Sequence, residues 1–373
     1  MKFIQANPFR IIGLLSNVSE KEIQKQKSKI TKYASIGKSI ETEFDFPILG
    51  NLNRTEKTIN HAFSAIEQNQ EKVSQSLFWF LNTNSFDEAA IGYLANGEKE
   101  KAIEIWEKVT SEKEIISKNI SSFNNIGTLY LCSSSEFSKG IEIKIRLIES
   151  PIFVDFVHLI SDETTTINSE LQIEKFIDQI YSHLIKEISN TDIINHFQNC
   201  GEFALNKIKT KLSDQPIHFI EDQIQKTKNS RKSNPENSNE LGFLLFDSCK
   251  NKIDTLKAIL GEEELNFKML SDSLAKEIMQ CGLDYFNASY ESDHAVESAL
   301  ELLNMAKNLA KGTQTIERIE SNINSIEEYK DDEITKAIEF MNSVKKSYEE
   351  NKAKILVQVH STPLGHNQTI DWT

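Results

Sequence analysis

Apolar side chains recur along most of this chain at steps of three and four residues, the period of helices that bury one face. Near the start, "NPFRIIGLLSNVSEKEI" (residues 7–23) reads as a short amphipathic helical turn, a break at Gly13, and a second helix opened by Ser19. Glu22 lies three residues beyond Ser19, which makes a capping box. Helical spacing continues at Ile23 and Ile30, then at Ile59, Ala62, Phe63 and Ile66. Between these sets, "GKSIETEFDFPILGNLNRTEK" carries Pro47 and two glycines and reads as an extended loop. Short helices with tight turns are expected from 83 to about 160. A more regular helix is expected over 170–188, with Leu171, Phe176, Ile177, Ile180, Leu184 and Ile188 on one face.

The pattern fails over "KTKNSRKSNPENSNE" (residues 226–240), which has no apolar side chain to bury and is therefore expected to be a linker or mobile loop. Periodicity returns at Leu241, Leu244, Leu245, Ile253, Leu256 and Ile259, and again at Ala295, Ala299, Leu302, Leu303, Ala306, Leu309 and Ala310. A final charged helix over about 331–354 carries Ile334, Ala337, Ile338, Met341, Val344 and Tyr348 in a stripe. Beyond it the pattern breaks, as in a tail. The expected organisation is an all-α protein with a head at 1–82, helical repeats at 83–225, a linker at 226–240, a helical region at 241–357 and a tail at 358–373.

Composition agrees with helices: only 13 glycines and 6 prolines occur in 373 residues. The net charge of −14 argues against a general phosphate-binding role, so no nucleic acid is expected as a partner. Cys132, Cys200, Cys249 and Cys281 lie far apart with no CxxC pair, as expected of reduced structural thiols. No apolar run is long enough for a membrane span and no leader is evident, so a cytoplasmic location is expected.

Residues 7–37 resemble the start of a J domain, the module of DnaJ-type cochaperones. Phe9, Ile11, Ile12, Gly13 and Leu14, then Ser19, Glu22 and Ile23, fall without a gap on that family's first helix, turn and cap. A third helix over "RTEKTINHAFSAIEQNQEK" would place Ala62, Phe63 and Ile66 inward. The resemblance implies a helical hairpin and a DnaK-type chaperone as partner. It also locates departures. The family's His-Pro-Asp, which triggers ATP hydrolysis in the partner, falls on Ser35, Ile36 and Gly37, and the family's small and aromatic core pair falls on Gln26 and Lys27. Lys21, Lys25, Lys29 and Lys32 line one face of helix II, as a solvated face or as a dock for an acidic partner.

A second stretch, "AAIGYLANGEKEKAIEIWEKV", resembles one tetratricopeptide unit through Ala90, Tyr93, Gly97, Ala102, Trp106 and Val109. Gly127 and Tyr130 echo it one repeat later, before Ile141, Ile145 and Ile148. A third helical hairpin is expected over 281–312. These residues either pack a helical array or also bind a peptide.

Catalytic patterns are scarce. The eight histidines form no HExxH pair, and His360 with His366 would make a poor metal site. Phosphate loops and nucleophile–base arrangements are absent from the sequence, so no cofactor or metal is expected. Adjacent Phe78, Trp79 and Phe80 read as a packing seam. The expectation is a non-catalytic adaptor or scaffold, chaperone-associated. The alternative is an active J-type cochaperone that works through a non-standard loop.

Overall fold

A computed structural model describes residues 2–36, 38, 40–289 and 294–361, and among them the regular structure is entirely helical, as the apolar period requires. The helices are α1 (Lys2–Gln5), α2 (Pro8–Ile12), α3 (Glu20–Ser35), α4 (Glu56–Ser64), α5 (Asn69–Ser76), α6 (Ser85–Ala95), α7 (Lys99–Thr110), α8 (Ile120–Leu131) and α9 (Phe137–Glu149). They continue with α10 (Phe153–Ile160), α11 (Ser169–Leu184), α12 (Asn190–Asn195), α13 (Glu202–Ser233), α14 (Ser238–Leu260), α15 (Leu265–Ser289), α16 (Ala295–Leu309) and α17 (Thr313–Ser361).

The chain divides into one unit of residues 1–215 with 258–260 and a second of 216–257 with 261–373. The division falls inside α13 between Gln215 and Pro216, where proline removes a helical hydrogen bond, and not in the polar stretch 226–240. That stretch is not a linker. It is helix through Ser233, and the helix ends just ahead of Pro235, whose ring disfavours helical geometry in the residue before it. Arg231 is buried and bonded to Glu277 (2.8 Å) and to Asp284. Burial works against its charge, but the hydrogen bonds it donates to the two carboxylates outweigh it and hold its pKa above the ordinary value. A segment without apolar side chains was thus ordered by one buried ionic cluster. The expected tail also starts later, since α17 runs to Ser361, and residues 362–373 lie outside the described residues.

In the first unit the head does not end at residue 82. Phe78, Trp79 and Phe80 follow α5 in non-helical backbone, so their side chains diverge, and all three are buried. Phe78 stacks on Phe176 of α11 at 5.0 Å between ring centroids, and Phe80 stacks on Trp106 of α7 at 5.9 Å. The Trp79 indole donates to the Leu14 carbonyl (2.8 Å). Three consecutive aromatics therefore join the N-terminal helices, α7 and α11 into one core.

The pairs α6–α7 and α8–α9 pack as successive helical hairpins. Ala90, Ala102 and Trp106 are fully buried, and Gly97 closes the first turn at φ 77°. Along α11 the buried stripe is Ile173, Phe176, Ile177, Ile180 and Leu184, whereas Leu171 is turned outward.

Two buried charges sit in this array. Asp87, in the first turn of α6, makes no ion pair among the described residues. One carboxylate oxygen accepts from Trp106 (3.0 Å), Ser122 (2.9 Å) and Asn125 (3.1 Å). The other accepts from Ser121 (2.6 Å), Asn84 (3.0 Å) and both donors of Thr83 (3.1 and 3.2 Å). Lys144 of α9 is fully enclosed and donates to Asn124 O (2.6 Å), Asn124 Oδ1 (2.5 Å) and Thr128 Oγ1 (2.7 Å). A Cβ on Gly127 would come 3.0 Å from the Lys144 stem, so the glycine gives the side chain its path. Burial without a carboxylate partner pulls the Lys144 pKa well below that of an ordinary lysine.

In the second unit, α15 and α16 form the hairpin expected over 281–312, with Ala299, Leu302, Leu303 and Ala306 buried between them. Helix α17 begins on this hairpin and buries Ile319 and Ile326. From residue 331 to residue 355 every side chain is exposed.

Candidate functional site

Helix α3 carries the candidate residues, and its position is set from both ends. Asn7 caps α2 by accepting from the Phe9 N–H (2.9 Å), and Gly13 ends α2 at φ 72°. A Cβ on Gly13 would meet Thr42 at 2.3 Å, so both the backbone and the space demand glycine. Ser19 then opens α3 with the expected capping box: Glu22 N–H donates to Ser19 Oγ (3.3 Å), and Ser19 N–H donates to Glu22 Oε2 (2.8 Å). The hydrogen bond from the Ser19 side chain, with that from its backbone, lowers the Glu22 pKa below the usual carboxylate value.

The inner face of α3 buries Ile23 and Ile30 in the same core as Ala62, Phe63 and Ile66. The expected single third helix is divided, because α4 ends at Ser64 and α5 begins at Asn69. Gln26 and Lys27, which stand where the resemblance predicts apolar packing, are given other work. Gln26 donates to the Ile12 carbonyl at the end of α2 (2.7 Å), and the Lys27 ammonium lies 5.4 Å from the Phe63 ring centroid.

The long loop before α4 is also built in, with Phe46 and Leu49 buried. Arg54 organises it. Its guanidinium donates to the carbonyls of Arg10 (2.9 Å), Ile11 (2.7 Å) and Ile40 (2.9 Å), and pairs with Asp45. A cation on the last carbonyls of α2 is favoured by their partial negative charge. Burial would raise the Asp45 pKa, but the bonds from Arg54 and Thr42 bring it below the ordinary value. Sequence reasoning missed Arg54, Asp45 and Arg10. The available signal was an arginine in a loop otherwise rich in acids.

On the outer face, Lys21, Lys25, Lys29 and Lys32 are all exposed, and none makes an ion pair among the described residues. The helix holds five lysines against two glutamates, a local charge of +3 in a chain of −14. Ser35 is the last residue of α3 and donates to the Lys32 carbonyl (2.9 Å); Ile36 is its C-cap and is exposed. Gly37 lies outside the described residues. The positions at which the resemblance places a triggering loop thus begin within the helix and present no carboxylate.

Elsewhere, a cleft of about 320 Å³ along α7, α8 and α9 is lined by both signs of charge, including Glu107, Glu142, Lys139 and Arg146. Its Tyr130 hydroxyl donates to Glu107 (2.7 Å). A wider cleft of about 690 Å³ along the head loop is lined by Asp45 and Arg54, which are already bonded to each other. Among the described residues, no three His, Cys, Asp or Glu side chains are grouped to hold a metal ion, and no helix is long and apolar enough to cross a membrane. All four cysteines are free, and burial pushes the thiols of Cys132, Cys200 and Cys281 up to about 12.

No protein-family model, curated protein or solved structure matches the chain.

Proposed function

We propose that this protein is a non-catalytic adaptor or scaffold whose J-like head docks an acidic protein surface through Lys21, Lys25, Lys29 and Lys32. The observation that carries the reading is the exposed, unpaired basic face of a helix that is capped at its start and anchored in the core behind. Such a face steers an acidic partner and aligns it in one register. A DnaK-type chaperone is the partner that the N-terminal resemblance favours. In this reading hydrolysis in the chaperone is not triggered. Ser35 and Ile36 offer no charge with which to bind the partner's hydrolysing state in preference to its resting state.

Two measurements test it. Single-turnover ATP hydrolysis by a DnaK-type chaperone is expected to be unchanged on addition of the protein. A several-fold rise would replace the adaptor with an active cochaperone. Binding to the same chaperone, followed by fluorescence anisotropy, is expected to weaken with salt and to be lost in Lys25→Glu with Lys29→Glu. Undiminished binding by that variant would remove the basic face from the proposal.

A further inference from the structure

Among the described residues of its own unit, nothing covers the far half of α17. Residues 331–355 extend about 37 Å as a helix. Ile334, Met341, Tyr348 and Ile355 repeat at intervals of seven, and Ile338, Ala337 and Val344 fall beside them. Met341 is 70 % exposed and Tyr348 67 %. A strict seven-residue apolar repeat over three heptads is the pattern of a coiled-coil seam, not of a helix lying on a globular core.

Charge identifies the occupant. The segment opens with Asp331, Asp332 and Glu333 and closes with Lys345, Lys346, Lys352 and Lys354, offset only by Glu349 and Glu350. A parallel second copy would set acid beside acid. An antiparallel copy sets each acidic start beside the other's basic end. The acidic opening also disfavours an anionic lipid surface.

We infer that residues 331–355 pair with the same segment of a second copy of this chain, as an antiparallel two-stranded coiled coil. The full chain then sediments at twice the chain mass at micromolar concentration. Ile338→Asp with Met341→Asp returns it to monomer with its thermal melt at high dilution unchanged, because neither side chain is part of the core. Lys352→Glu with Lys354→Glu and, separately, Asp331→Lys with Asp332→Lys each dissociate the dimer, and mixing the two variants restores it.

Orientation is read by zero-length carbodiimide coupling of Asp331, Asp332 or Glu333 to Lys352 or Lys354. Within one helix even Glu333 and Lys352 are about 28 Å apart, so such a link must join two copies. A chain that stays monomeric at all concentrations, whether or not it co-sediments with anionic phospholipid vesicles, overturns the inference. So does a dimer indifferent to these substitutions, or a dimer that yields no acid-to-lysine links.

Discussion

Helix α3 and residues 331–355 of α17 both display lysines at helical spacing and an apolar stripe. In α3 the stripe is covered, with Ile23 and Ile30 inside a core shared with Phe63, while the lysines face water. In α17 nothing among the described residues covers the stripe, and Ile334, Ile338, Met341, Val344 and Tyr348 are all exposed. The two situations are not equivalent in energy. Exposed charges on a helix cost little, whereas each large apolar side chain left in water forgoes about 1.5–3 kcal/mol. An exposed basic face therefore permits a partner, and an exposed apolar seam calls for one.

Four variants sharpen this contrast. Truncating the covered side has the largest expected effect: Phe63→Ala should cost roughly 3–5 kcal/mol in chemical denaturation, because the ring is buried. A cost near zero would mean that the α3–α4 core is not formed in solution.

A buried lysine should behave differently from the exposed ones. The native pKa of Lys144 is lowered by burial, so between that value and the ordinary lysine value the unfolded chain binds more protons than the native one. Its contribution to stability is therefore greatest at high pH and is lost as pH falls towards the native pKa. The stability of the wild type relative to Lys144→Met should rise with pH in that window, by up to about 1.4 kcal/mol per unit. A difference that does not change with pH would show that the ammonium stays charged throughout.

The helix start comes next. Ser19→Ala removes the cap of α3 and should cost about 1 kcal/mol in the same measurement. A loss well above that would mean Ser19 does more than cap. The smallest effect belongs to the outer face. Lys25→Ala with Lys29→Ala should change folding stability by less than about 0.5 kcal/mol. A larger loss would make the stripe part of the fold and not an available surface.

Much of the local structure was legible. Ser19 and Glu22 at the spacing of a capping box, Gly13 at a break, and apolar residues at steps of three and four marked α2 and α3, whereas the final helix, expected over about 331–354, begins at Thr313 and runs to Ser361. The reason is that caps and amphipathic faces are set by residues within one or two turns. The polar run 226–240 departs from expectation because absence of apolar side chains is not absence of order. Arg231 shows the alternative, a helix held by carboxylates 46 and 53 residues further along the chain.

What the sequence by itself determined is the helical class, the positions of several helix ends and the existence of an apolar stripe on several helices. Only the tertiary structure decided what covers each stripe. It merged the N-terminal helices with the following hairpins through Phe78, Trp79 and Phe80, and it enclosed Asp87 and Lys144. It also left residues 331–355 of α17 bare. The physical reason is that burial is a property of pairs of elements: periodicity tells which face of a helix is apolar, but the neighbour that removes it from water is supplied by distant chain.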